Sequence, residues 1–183
     1  MPVELNITPH KKEEIVATLL FAFMQMEEYI SALPENKFLT AEQGKWSPGQ
    51  QLQHLINSAY PVAISLFLPK ISFFPFGKDD DRASRSYADI AGIYKSSLGN
   101  GAKSPFLFKP GSAGKYNPER LLQQWKTLQD HFKSALYLQW NERDLDTYRM
   151  PHPILGMLTV REMLFFTTFH TLYHLNSMKQ VYG

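Results

Sequence analysis

Cysteine is missing from this chain of 183 residues. Its absence excludes disulfide bonds, zinc sites built on thiolates, and cysteine nucleophiles. Any thiol that takes part in chemistry here must therefore come from another molecule. A chain without cysteine fits a reducing compartment, and residues 1–6 lack the basic and apolar stretches of a signal peptide. We therefore expect a cytoplasmic protein.

Charge of one sign is also scarce. The 19 basic and 17 acidic residues leave a formal net charge of only +2. Such a balance produces no field strong enough to attract nucleic acid or an anionic membrane. The longest apolar stretch without a charge, residues 50–69, is interrupted by polar side chains and is too polar to span a bilayer. We expect neither nucleic acid nor a membrane as a partner.

Four long segments begin with residues that favour the start of a helix. Thr8-Pro9, Ser47-Pro48 and Asn117-Pro118 each combine a capping side chain with proline at the first helical position. Thr159 opens the fourth segment and forms a capping box with Glu162, three residues further on. Apolar residues recur at helical spacing after each start. We therefore predict a single all-α domain over residues 1–183.

The connection between the second and third segments, residues 69–117, is far longer than a usual loop in a helical bundle. Apolar residues from Tyr87 to Leu98 recur at helical spacing and predict a short extra helix, capped by Ser86. A long crossover lets two consecutive helices run parallel. Pro61 should kink or divide the second helix, because proline removes a backbone hydrogen bond. The sequence predicts no pair of strands.

Two of the six histidines share one face of the fourth segment. His170 and His174 are four residues apart, so neighbouring helical turns bring both imidazoles within reach of one ion. Thr167 lies on the same face and is a candidate for the rim of a pocket. The alternative is a pair of partly buried imidazoles that only form hydrogen bonds, because this spacing is common.

The remaining histidines are less clearly placed by the sequence. His54 and Ser58 fall opposite the apolar stripe of the second segment, which indicates either solvent or a water-filled pocket inside the bundle. His152 lies between two prolines just before the fourth segment and is a candidate for the rim of a site. His10, in the first helical turn, and His131 are expected at the surface.

Three segments resemble motifs of the DinB/YfiT-like superfamily and occur in that family's order. They are residues 45–55 (KWSPGQQLQHL), 152–162 (HPILGMLTVRE) and 169–175 (FHTLYHL). The resemblance implies a four-helix bundle in down-up-up-down order, with a long crossover between helices 2 and 3. Relatives often carry arginine or glycine after the second paired histidine, where this chain has Leu175 and Asn176. Substrate contacts at these positions are therefore not expected to be shared.

The same resemblance implies a site for a divalent metal ion. Its ligands would be His54 from the second helix, with His170 and His174 from the fourth. Nickel or zinc is typical of the family, and three imidazoles also suit iron or copper. Three protein ligands leave at least one coordination position open, as in catalytic rather than structural sites.

An open site of this kind supports two kinds of reaction. A metal ion can activate water for hydrolysis, or it can hold a thiol as a nucleophilic thiolate. The resembling family contains thiol transferases, a thiol-dependent isomerase and proposed hydrolases. We therefore expect a metalloenzyme that acts on a small molecule, with a low-molecular-weight thiol as a candidate cosubstrate.

A different interpretation is a non-catalytic helical module that binds a partner or dimerises, with a vestigial or absent metal site. Phe73, Phe74 and Phe76 in the crossover would then form an exposed interaction surface. A homodimer is a candidate assembly under this interpretation.

Overall fold

The computed structural model describes residues 3, 5, 8–77 and 82–183. Within these residues the chain forms seven α-helices and one short hairpin. The helices are α1 (Lys12–Ala32), α2 (Glu35–Leu39), α3 (Pro48–Ser65), α4 (Tyr87–Gly99), α5 (Pro118–Gln139), α6 (Glu142–Thr147) and α7 (Val160–Tyr182). The strands are β1 (Arg149–His152) and β2 (Gly156–Thr159), and two 3-10 helices span Lys70–Phe76 and Phe106–Phe108.

Three of the four predicted helix starts are confirmed. Ser47, Asn117 and Thr159 each accept a hydrogen bond from the backbone N–H three residues further on, at 3.2, 2.8 and 3.2 Å. These bonds satisfy amide groups that a helix leaves unpaired in its first turn. The local capping chemistry therefore decides where α3, α5 and α7 begin.

The predicted start of the first helix is wrong. The helix begins at Lys12 and not after Thr8-Pro9. The carboxylate of Glu14 accepts the backbone N–H groups of His10 and Lys11, at 2.8 and 3.1 Å. A carboxylate inside the helix thus satisfies the amides that precede it. His10 lies before the first turn rather than within it, and it is exposed as expected.

The long helices form a four-helix bundle in down-up-up-down order. At the start of both α1 and α7, the Arg161 guanidinium donates to the His10 carbonyl, so these two helices run parallel. Gln51 near the start of α3 is bonded to His174 near the end of α7, so α3 and α7 are antiparallel. At the start of α1, Lys12 donates to the carbonyl of Trp140, which directly follows the end of α5. Helix α1 is therefore antiparallel to α5.

Aromatic stacking between α1 and α5 fills the centre of the bundle. The rings of Phe23 and Trp125 are stacked with centroids 4.1 Å apart, and the Trp125 indole donates to the Phe23 carbonyl at 3.0 Å. The apolar residues that recur at helical spacing along α5 are buried here: Leu121, Trp125, Leu128, Phe132 and Leu136. By length and apolarity, α1 could cross a bilayer on its own. Helix α3 together with the bent 3-10 helix after it meets the same criterion. The apolar stripe of α1, however, is buried in the bundle.

The crossover contains the predicted extra helix, α4, which is capped by Ser86 as expected. Pro61 lies inside α3 and does not divide it, because the helix runs on to Ser65. The absence of paired strands was a wrong prediction. Strands β1 and β2 pair antiparallel, from Arg149 opposite Thr159 to His152 opposite Gly156. Each strand has only four residues, and proline at position 151 argues against a strand in the sequence.

A buried carboxylate joins the part of the crossover that precedes α4 to the start of α7. Glu162 has no exposed surface and accepts hydrogen bonds from both guanidinium groups of Arg82 and Arg85, at 2.6 to 3.1 Å. It also accepts the backbone N–H of Thr159 at 3.0 Å. Burial alone would raise the pKa of this carboxyl, but the hydrogen bonds outweigh burial and lower it to about 2. Glu162 therefore stays ionised.

We expect Glu162→Gln to lower the free energy of unfolding by about 2–4 kcal/mol, because it leaves two arginines facing a neutral amide. Urea unfolding at neutral pH measures this change. The matched control is Glu27→Gln, since the ion pair of Glu27 with Lys126 (3.1 Å) is partly exposed and should contribute less than about 1 kcal/mol. Equal losses in the two variants would contradict the anchoring role of Glu162.

Candidate metal centre

Antiparallel packing of α3 against α7 brings three histidines to one point. His54 lies on α3, and His170 and His174 lie on successive turns of α7. One ring nitrogen from each of the three lies within 4.8 Å of the other two. The Nε2 atoms of His54 and His170 are 3.2 Å apart. Within the described residues no carboxylate joins this group.

His54 is buried, with 5% of its surface exposed. Of the two environments that the sequence left open for it, solvent is therefore excluded. The crossover covers this side of α3, where the Phe108 carbonyl contacts the His54 ring and the Gln50 amide donates to the Gly111 carbonyl. The Trp46 ring packs against His54 with centroids 5.1 Å apart. The polar face of α3 is thus an interior surface.

Hydrogen bonds to the second ring nitrogen orient two of the imidazoles. The Nδ1–H of His54 donates to the Phe108 carbonyl at 2.8 Å. The Nδ1–H of His174 donates to the Gln51 side-chain oxygen at 2.9 Å, while the Gln51 amide nitrogen donates to the Trp46 carbonyl. Because Nδ1 carries the proton in both neutral rings, each Nε2 presents a lone pair to the cluster.

The surroundings keep these imidazoles neutral. Burial lowers the pKa of His54 more than its bond to Phe108 raises it. Burial also lowers the pKa of His174 to about 3, with a further contribution from the neighbouring His54. The pKa of His170 is held well below its ordinary value by burial, and then by the other histidines. All three rings are therefore unprotonated at neutral pH, which is the form that binds metal ions.

The cluster has the dimensions of a metal site. Two imidazole nitrogens bound at about 2.0–2.1 Å to one tetrahedral ion would lie about 3.3 Å apart. The separation of 3.2 Å between the Nε2 atoms of His54 and His170 matches this value. Without a metal ion, the Nε2–H of His170 can donate to the Nε2 of His54 across this distance; with both Nε2 atoms unprotonated, a cation between them would satisfy both lone pairs. The donor set therefore fits a divalent ion.

A cavity of about 100 Å³ opens beside His54 and His170. His152 and Ser58, both candidates for the rim, line it, whereas Thr167 does not and bonds instead to the Met163 carbonyl at 2.8 Å. Wider clefts of about 810 and 650 Å³ open elsewhere on the bundle, but the three histidines line neither of them. Of these three openings, only the small cavity is lined by His54 and His170, so it is the candidate site for a ligand.

The other histidines lie away from the cluster. His10 is exposed, and its carbonyl accepts from Arg161. His131 on α5 is half-buried, and its ring is 5.8 Å from that of Phe67, so the predicted surface position is only partly correct.

Sequence reasoning missed Gln51 and the Phe108 carbonyl. Gln51 precedes His54 by three residues, which places both on one face of α3, so this spacing could have indicated it. A backbone carbonyl leaves no trace in the sequence, and the contact of Phe108 with His54 spans 54 positions of the chain. It could be found only in the folded structure.

A comparison with known families identifies the chain. The model of the DinB superfamily matches residues 18–178. The chain belongs to the DinB superfamily. No curated relative matches its sequence. Among solved structures it is similar to YfiT from Bacillus subtilis, described as "a probable metal-dependent hydrolase with an unusual four-helix bundle topology".

The likeness to YfiT concerns the fold of this DinB superfamily member. The TM-score is 0.60 at 15% sequence identity, and the match covers 98% of this chain and 91% of YfiT. Both chains thus share the four-helix bundle over nearly their whole lengths. The long crossover expected from the sequence is part of that bundle.

We expect Gln51→Leu to weaken zinc binding at least about tenfold, because the His174 ring loses the acceptor that orients it. Competition with a chromophoric chelator measures the affinity. Gln53→Leu is the matched control, since Gln53 lies on the same helix and its side chain donates to Asn57 at 2.7 Å rather than to a histidine of the cluster. An unchanged affinity in Gln51→Leu would contradict the orienting role.

Proposed function

We propose that this protein is a divalent-metal enzyme that uses an open three-histidine site for thiol-dependent transfer or hydrolysis of a small molecule. The observation that carries the proposal is the cluster of the buried His54 and His170 with the half-buried His174, whose ligand atoms lie within 4.8 Å of one another. Nickel and zinc are the first candidates for the ion, and iron or copper would also suit imidazole ligands.

Different residues of the chain would have different roles around this ion. His54, His170 and His174 would hold it, while the Phe108 carbonyl and Gln51 orient two of the rings. A bound ion of this kind supplies a Lewis acid that lowers the pKa of water or a thiol. The walls of the cavity, which include the rings of Phe108 and Phe166, are largely apolar, and an apolar environment strengthens electrostatic interactions.

The lining of the cavity favours thiol transfer over hydrolysis. Among its described lining residues there is no aspartate or glutamate to take a proton from water. A thiol needs less help, because its unperturbed pKa is already far below that of water. The chain has no cysteine, so the thiol would belong to a cosubstrate. Hydrolysis, the other reaction of this proposal, is supported by the description of YfiT as a probable hydrolase.

The interpretation as a binding module has weaker support. Phe73 is only 3% exposed, because it packs against Trp140 with ring centroids 5.4 Å apart. Phe74 and Phe76 are 52% and 37% exposed, so only part of the expected aromatic surface is accessible. Neither the packing of Phe73 nor the partial exposure of Phe74 and Phe76 explains why three neutral imidazoles lie together between α3 and α7.

Untagged protein should contain about one equivalent of divalent metal per chain, as expected for a single three-histidine site. The double variant His170→Ala, His174→Ala should contain none, because one remaining imidazole cannot retain the ion. Elemental analysis after reconstitution with zinc or nickel measures both. His54→Ala should also lose most of its metal.

His131→Ala is the control, since this histidine lies away from the cluster. Wild-type protein that takes up no metal would overturn the proposed function. Metal content that survives His54→Ala but not the double variant would overturn the assignment of three ligands and leave the metal site itself in place.

Thiol dependence has its own spectroscopic signature. Cobalt-substituted protein should develop a thiolate-to-metal charge-transfer band when ethanethiol or glutathione is added, because an open position admits the sulfur. Absorption spectroscopy in the near ultraviolet detects the band. If neither thiol produces it in protein that holds cobalt, thiol transfer is overturned and hydrolysis stays as the proposed reaction.

A further inference from the structure

The cavity beside the cluster is small and largely apolar. Its walls include the rings of Phe108 and Phe166 and the side chain of Met163. Engineered cavities of about 150 Å³ hold benzene, so a cavity of about 100 Å³ accepts a group of only a few carbon atoms. The polar groups that line this cavity therefore determine which part of a substrate binds in it.

His152 presents a fixed donor at this cavity. Its Nδ1 accepts the backbone N–H groups of Leu155 and Ile154, at 3.0 and 3.2 Å, in the turn between β1 and β2. A neutral imidazole whose Nδ1 accepts must carry its proton on Nε2. That nitrogen lies on the edge of the ring away from Ile154 and Leu155, and it has no hydrogen-bond partner within the described part of the chain.

The same hydrogen bonds argue against His152 as a fourth metal ligand. To bind an ion through Nε2, the ring would have to move its proton to Nδ1, where two backbone N–H groups already point. The group of ligand nitrogens within 4.8 Å of one another also contains His54, His170 and His174 but not His152. His152 is placed to donate a hydrogen bond.

Tyr94 on α4 contributes a second donor to the same cavity. Its ring centroid lies 6.5 Å from that of His152 and 5.7 Å from that of His170. Its side chain is buried, and its hydroxyl has no hydrogen-bond partner among the residues that the structure describes. The two serines of the cavity differ, because Ser58 donates to the His54 carbonyl and Ser104 to the Pro105 carbonyl.

Neither donor is among the fully buried atoms without a partner in the described residues, so water can reach both when the cavity is empty. A ligand that fills the cavity displaces that water and must supply an acceptor in its place, since donors left without partners are costly. We propose that His152 and Tyr94 together bind a carbonyl or carboxylate oxygen of the substrate, whose short apolar substituent fills the cavity beside His170. This inference rests on the proposed function and narrows its substrate to a small carbonyl or carboxylic compound. A protonated amine has no lone pair to accept from either donor and is disfavoured.

Acetate is the probe, since it combines a carboxylate with a single methyl group. Cobalt is loaded into wild-type, Tyr94→Phe and His152→Asn protein, and acetate is titrated while the visible spectrum of the cobalt is recorded. Tyr94→Phe removes only the hydroxyl. His152→Asn keeps an acceptor for the backbone N–H groups of the turn but has no group in place of Nε2–H.

Each variant should bind acetate about tenfold more weakly than wild type, because each lacks one hydrogen bond to a charged oxygen. Cobalt affinity, measured by chelator competition, should stay within about twofold in both, since neither residue is among the clustered ligands. Thr167→Val is the matched control. It removes a buried hydroxyl that bonds within α7, and both affinities should stay at wild-type values.

Other outcomes separate the two proposals. If wild-type protein takes up no cobalt, the proposed function fails. If it holds cobalt but acetate leaves the spectrum unchanged, or acetate binds both variants as tightly as wild type, only the oxygen-binding role of His152 and Tyr94 is overturned. A loss of cobalt affinity in His152→Asn would make His152 a metal ligand and would also overturn that role.

Discussion

The packing of three neutral imidazoles between α3 and α7, two of them buried and that of His174 half-buried, is the constraint on which the rest of the site depends. Polar groups in an interior are costly unless they find partners. Nδ1 of His54 and of His174 is bonded to the Phe108 carbonyl and to Gln51, which leaves their Nε2 lone pairs directed at the cluster. Burial suppresses protonation of all three rings, so a divalent cation is the partner that suits them best.

The crossover is a structural part of the site and not merely a connection. It supplies the Phe108 carbonyl to His54, and α4 within it places the Tyr94 ring beside His170. The residues just before α4 are held at the start of α7, because Arg82 and Arg85 bind the buried carboxylate of Glu162. The wall of the cavity therefore depends on the same helix that carries the paired histidines.

Local chemistry explains why most of the fold could be predicted. Ser47, Asn117 and Thr159 cap their helices through atoms only three residues away, so the sequence alone contains both partners of each bond. The start of α1 was mispredicted because the Glu14 carboxylate competes with Thr8 for the same role. The hairpin was missed because four-residue strands with proline carry almost no alternating pattern.

The sequence by itself determined the helical class, the helix starts at Ser47, Asn117 and Thr159, and the shared face of His170 and His174. These features depend on contacts within one helix. Tertiary structure decided that His54 is interior, since the segment that covers it lies 54 positions further along the chain. It also decided that His152 donates from Nε2, since that follows from the turn between β1 and β2. Periodicity describes a helix relative to its own axis and says nothing about which distant segment covers its polar face.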